Sequence, residues 1–188
     1  MRGDHKSLRA FRDLIQLLLS MTVMDDSYYV RLFEGTSDGT FLLSGPKHPL
    51  DPLGLNDGRR LRLTIALVLE PAESERRLRV FESSFQYQTR LGDEIFRYDY
   101  LRNPKTDHPA CHLQVHGRLN EKSVPKAGHL QKVHFPTGRI PLEAVIRLLA
   151  EEFQVHCNAS KQMWRPVLAE SERLFSEIAH RPLSGPST

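Results

Sequence analysis

Apolar residues recur at Leu8, Phe11, Leu14, Ile15, Leu18 and Leu19, the three- and four-residue spacing of one helix face, and predict a helix over residues 7–24. The period then shortens. Tyr28 to Glu34 and Thr40 to Ser44 are β-type runs around Thr36-Ser37-Asp38-Gly39, a turn cluster whose glycine tolerates positive φ, and they predict a hairpin. Pro46, Pro49, Pro52, Gly54 and Gly58, with Asn56-Asp57, remove ladder donors and favour turns, so residues 45–60 are expected to be a loop. Leu61, Leu63, Ile65, Leu67 and Leu69 then occupy alternate positions and place their side chains on one strand face.

Leu78 to Thr89 and Ile95 to Leu101 are rich in aromatic and β-branched residues and flank Leu91-Gly92-Asp93, a second hairpin signature. Pro104 and Pro109 interrupt the next connection. Beyond them Cys111 to His116 and Gln131 to Phe135 read as further strands around a loop containing glycine and lysine. Leu142, Val145, Ile146, Leu149 and Phe153 return to helical spacing and predict a helix over 141–155, with Pro141 as its first residue. Trp164, Val167, Leu168, Leu174, Phe175 and Ile178 predict a last helix, with Pro166 in its first turn.

A helix, then strands in succession, then helices, is the order of an α+β fold. It predicts an antiparallel meander of about six or seven strands, with an N-terminal helix and two C-terminal helices covering one sheet face. Residues 1–180 are expected to be one domain and 181–188 a disordered tail.

Composition narrows the class. Of 188 residues 39% are hydrophobic and 26% charged, ordinary globular usage, and no apolar run is long enough to span a bilayer. The stretch Leu14 to Met24 follows several arginines as a signal peptide would, yet Asp13, Gln16, Asp25 and Asp26 interrupt or flank it, which favours an amphipathic helix. Two cysteines, Cys111 and Cys157, are too few for a disulfide-stapled secreted fold, and a reducing, cytoplasmic setting is expected. A formal charge of +3 permits a nucleic-acid partner without requiring one.

The candidate chemistry lies in strand parity. In Cys111-His112-Leu113-Gln114-Val115-His116 the even positions are polar, and Lys132-Val133-His134-Phe135 has the same parity. If both strands bury their odd positions, His112, Gln114, His116, Lys132 and His134 share one exposed face. Arg97 and Asp99 alternate with Phe96, Tyr98 and Tyr100 and add a cation and an acid. Arg139 sits in the turn entering the predicted 141–155 helix, where backbone N–H groups favour anions, and is a candidate phosphate ligand.

A metal is not expected, because residues four apart on a strand have Cα atoms roughly 13 Å apart, neither zinc-site spacing is present, and no local acidic cluster completes a site. No cofactor is expected either. Metal-free phosphodiester cleavage suits these residue types: one imidazole can deprotonate a ribose 2′-hydroxyl, another can protonate the leaving oxygen, and cations can stabilise the charge that develops. His112 and His134 are the expected base and acid, with His116 beside them. Asp99 would orient one imidazole, and Arg97, Lys132 and Arg139 would hold phosphate.

The plain alternative is that an exposed strand face carries His, Gln and Lys as solvated residues, with Arg97 and Asp99 a same-face ion pair worth about 1 kcal/mol or less. Gly35-Thr36-Ser37-Asp38-Gly39 lacks a P-loop lysine, and Cys157 beside His156 matches no nucleophile motif. Aromatic residues at 85, 87, 96, 98 and 100 fit a core more readily than a base-stacking platform.

The strand succession leading to Phe96-Arg97-Tyr98-Asp99, a proline-containing connection, and His112-Leu113-Gln114-Val115-His116 resembles the TumE-type toxin-like proteins of bacterial toxin–antitoxin loci. The resemblance covers roughly residues 60 to 155. Such proteins show an Arg-x-Asp segment followed by closely spaced histidines, and only Arg97, Asp99, His112 and His116 carry over. Tyr100 stands where an asparagine is expected, and this chain has extra segments at both ends. The resemblance implies a toxin-like, RNA-directed protein, a metal-independent ribonuclease, whose partners would be RNA and a protein such as an antitoxin. The rival expectation is a noncatalytic interaction module using the apolar helices near Leu8 to Leu19 or Trp164 to Ile178, with a homodimer among its forms.

Overall fold

The computed structural model describes residues 2–37, 39–70, 77–104, 109–116 and 135–179. Its elements in chain order are α1 (Arg2–Ser20), β1 (Arg31–Glu34), β2 (Thr40–Ser44), β3 (Leu53–Gly54), β4 (Arg60–Glu70), β5 (Arg77–Gln88), β6 (Glu94–Leu101), β7 (Cys111–Val115), β8 (Phe135–Pro136), α2 (Leu142–Glu151) and α3 (Lys161–Ala179). The α+β expectation holds. The strands form one antiparallel sheet in the order β1-β2-β4-β5-β6-β7-β8, with β3 pairing β4 off that path.

The alternation of β4 decides which sheet face is apolar. Leu61, Leu63, Ile65, Leu67 and Leu69 are buried, while Arg62, Thr64, Ala66 and Val68 are half-buried on the other face. The odd-numbered side chains join Leu8, Ile15, Leu18 and Leu19 of α1, Leu142, Val145, Ile146 and Leu149 of α2, and Trp164 and Leu168 of α3 in one core. Each such side chain contributes roughly 1.5–3 kcal/mol by leaving water.

α1 ends at Ser20 rather than at 24, because its last carbonyls find partners outside the helix. Asn158 Nδ2 donates to Ser20 O and Met24 O at 2.8 and 2.9 Å, and the Asn158 and Ala159 amides donate to Thr22 O and Met21 O. The 45–60 loop is more ordered than its prolines suggest: Leu53 and Leu55 enter the core and β3 pairs with the start of β4.

Two further boundaries correct the sequence reading. Pro141 is extended (φ −77°, ψ 159°) and precedes α2 instead of opening it. Pro166 is the sixth residue of α3, beyond the first turn, where its missing N–H leaves the carbonyl of Gln162 without its usual helical donor.

Two irregularities reshape the sheet. Between β4 and β5 the register shifts at Ala66/Leu67, which leaves Phe81 unpaired. Between β5 and β6, Tyr87 pairs with Phe96 and Gln88 with Glu94, so Ile95 is an extra residue. Ile95 and Phe96 both turn into the core, and Glu94 emerges on the polar face.

Candidate functional site

On the face opposite the helices, register stacks polar residues into rows. Arg62, Gln86, Arg97 and Gln114 lie side by side across β4 to β7, and Thr64, Ser84, Asp99 and His112 form the next row. Strand neighbours on one face stand about 5 Å apart, so each row is a contact chain. Gln86 and Gln114 are buried at 8% and 6% exposure, which makes this face less open than its parity predicts.

Arg97 ties the rows together. Its Nε donates to Asp99 Oδ2 at 2.7 Å, its Nη1 stands 3.5 Å from Glu94 Oε2, and its Nη2 donates to Gln114 Oε1. Gln86 donates to the same Glu94 carboxylate, and Ser84 Oγ donates to Asp99 Oδ1 at 2.6 Å. With every guanidinium nitrogen facing a protein acceptor, Arg97 positions the two carboxylates instead of offering a fork to phosphate.

Each carboxylate in turn faces a histidine. His112 Nε2 stands 3.4 Å from Asp99 Oδ2, and His112 Nδ1 is 3.1 Å from the carbonyl of Pro109, which can only accept. That carbonyl selects the Nδ1–H tautomer, so in the neutral ring the nitrogen without a proton is Nε2, on the side of Asp99. His116 Nε2 stands 2.9 Å from Glu94 Oε1, with angles that fall short of a hydrogen bond. The imidazoles are half-buried, with 13% of the His112 and 32% of the His116 side chain exposed.

The structure therefore brings together Arg97, Asp99, His112 and His116, and does not bring Arg139 to them. Arg139 lies on the helix-covered side, its guanidinium carbon 4.3 Å from the Tyr100 ring centre and 4.9 Å from that of Phe175 in α3. Lys132 and His134 lie outside the described residues.

Three participants escaped sequence reading. Strand parity assigns Glu94 to the side of Phe96, and only the extra Ile95 reverses it; the apolar pair Ile95-Phe96 just after a Gly-Asp turn is the available signal. Ser84 was legible, since Ser84, Gln86 and Gln88 alternate with Phe85 and Tyr87. Arg62 was visible on β4 but not its neighbours; its Nη1 is 3.3 Å from Gln86 Oε1, and its buried Nε has no hydrogen-bond partner.

Among the described residues no group of three or more His, Cys, Asp or Glu side chains could hold a metal ion, and no helix is long and apolar enough to cross a membrane. Comparison of the chain with protein-family models, with curated proteins and with solved structures finds no match.

Proposed function

We propose that the protein is a toxin-like, RNA-directed, metal-independent ribonuclease whose proton carrier is His112. The observation that supports this most is the pairing of His112 with Asp99, a carboxylate 3.4 Å from the ring nitrogen that the Pro109 carbonyl leaves to act as the base. His112 Nε2 would remove the proton of a ribose 2′-hydroxyl, the 2′-oxygen would bond to phosphorus, and the bond to the 5′-oxygen would break. The leaving oxygen receives a proton from a second imidazole, for which His134 is the sequence candidate. The products are a 2′,3′-cyclic phosphate and a 5′-hydroxyl.

His116 is an unsuitable second carrier for the same phosphate. Its Cα lies roughly 13 Å from that of His112 along the strand, and Glu94 holds its ring apart. Arg62, a half-buried cation in the row beside Gln86, is the candidate on this face to meet phosphate charge.

Induced expression of the native chain is expected to arrest growth, and His112→Ala, accumulating to the same soluble level, is expected to relieve the arrest. Equal growth of both cultures at full rate would remove the toxin reading.

One observation favours the rival reading of an interaction module. α1 leaves Leu14 and Leu17 exposed at 40% and 55%, and α3 leaves Leu174 exposed at 45%. A molecular mass that stays monomeric at high concentration, and is unchanged in Leu14→Ser/Leu17→Ser, would count against a homodimer through α1.

A further inference from the structure

We infer that β1 is the seat of a two-fold dimer, in which the open edge of the sheet pairs antiparallel with the same edge of a second copy of this chain. The inference is independent of the ribonuclease reading, and its surface is separate from the exposed leucines of α1.

β1 ends the strand order, and among the described strands it pairs with β2 alone. Two bonds just outside it fix which way its backbone groups point. The Gly35 amide donates to Thr40 O at 2.8 Å, on the β2 side, whereas the Val30 amide donates to Gln16 Oε1 of α1 at 2.7 Å. Alternate residues of a strand direct their N–H and C=O groups to the same edge. Arg31 and Phe33 therefore face β2, and Leu32 and Glu34 turn theirs outward. Gln16 closes the edge at Val30 and leaves Leu32 and Glu34 as the outward pair. Edge strands are commonly blunted by proline, lysine or a bulge. Arg31-Leu32-Phe33-Glu34 contains neither residue, and its register with β2 runs without a shift.

The side chains say that the occupant is a second copy. On the face away from the helices, Phe33, Leu42 and Ala66 form one row in register across β1, β2 and β4, and all are half-buried. This row is apolar where the rows through Gln114 and His112 are polar, and it runs out at the open edge on an aromatic ring. A two-fold axis normal to the sheet preserves its faces, so only residues of equal parity can oppose each other. With Leu32 opposite Glu34 of the second copy, every outward N–H and C=O of both strands is paired. Phe33 then meets Phe33 of the second copy on the axis, and the apolar row continues from one sheet into the other. Arg31, whose guanidinium carbon is 5.6 Å from its own Phe33 ring centre, falls opposite Gly35 of the second copy and flanks the aromatic pair. The two Arg31 residues stay roughly 13 Å apart along the strands, so they do not repel strongly. The alternative register, Leu32 on Leu32, needs the Val30 amide that Gln16 already holds.

Sedimentation equilibrium of the full chain, with disulfide trapping of the register, tests this. The native chain should approach twice the monomer mass as its concentration rises. Glu34→Pro, which removes an outward amide and leaves the inward ones, should weaken association roughly tenfold through its lost hydrogen bonds, with an unchanged unfolding midpoint when both are monomeric. In the proposed register the two Phe33 Cα atoms stand about 4.5 Å apart, within disulfide reach. Phe33→Cys should therefore give a covalent dimer under mild oxidation, and Arg31→Cys should give no more than the native chain does. A native chain that is monomeric at every concentration would overturn the proposal. So would cross-linking of Arg31→Cys as readily as Phe33→Cys, or a dimer that survives Glu34→Pro and is lost in Leu14→Ser/Leu17→Ser, which would place the interface on α1.

Discussion

At the scale of single residues, Arg97 carries more than its sequence suggests. Arg-x-Asp on a strand reads as an ordinary surface pair, and exposed pairs contribute little. Here the guanidinium also meets Glu94 and Gln114, and the Glu94 side chain is only 11% exposed. Removing the cation leaves two partly buried carboxylates without their shared counter-charge. Arg97→Met should therefore cost about 2–4 kcal/mol in urea unfolding, and adding Glu94→Gln and Asp99→Asn should recover most of it. A loss below about 1 kcal/mol would make the network a solvated surface pair.

Asn158 is a second residue whose role comes from place. Its side chain closes the end of α1 by bonding Ser20 O and Met24 O, and its Oδ1 accepts from Asn56 Nδ2 at 3.1 Å. Asn158→Ala strands these groups and should cost about 2–3 kcal/mol by chemical denaturation, on roughly 1 kcal/mol per lost bond. An unchanged midpoint would show that water replaces the amide. Nothing in a local Cys-Asn-Ala-Ser stretch announces this role, because its partners lie more than 100 residues away in the chain.

At the scale of elements, periodicity was a sound guide wherever one face is uniformly apolar. β4 and the helices were legible for that reason: five alternating aliphatics, or leucines at three and four, leave one way to be buried. Parity also placed His112, His116, Arg97 and Asp99 on one face. It failed at Glu94, because an extra residue in a strand changes parity with no composition cue that a single sequence makes plain. It was silent on Asn56 and Asn158, which act across elements. Arg139 was misplaced because the turn before α2 crosses to the helix side of the sheet.

At the scale of the whole molecule, two faces divide the work: one side of the sheet holds the helices and the core, and the other holds the charge network. The core side sets the alkaline limit of stability. Burial pushes the Tyr87 phenol up from 10.0 to about 12, and burial also raises Tyr98. Above pH 10 the unfolded chain releases these protons and the folded chain keeps them, so the folded state binds more protons and stability falls as pH rises. For Tyr87 the loss should extend from about pH 10 to about 12. Tyr87→Phe should flatten the stability–pH curve in that window, and an identical slope would place the phenol in a solvent-like setting. Burial likewise raises both the Cys111 and Cys157 thiols, so each should alkylate more slowly in the folded protein than in the unfolded chain at pH 8.

The charge face carries the proposed function, and the proposed chemistry would leave a definite mark on RNA. Purified protein incubated with RNA in excess chelator should yield fragments ending in 2′,3′-cyclic phosphate and 5′-hydroxyl. His112→Ala should yield none above background, and Asp99→Asn should slow cleavage while the fold is retained. Cleavage by His112→Ala at the native rate, or cleavage that appears only when a divalent metal is added, would contradict the assignment of His112 as the proton carrier of a metal-independent ribonuclease.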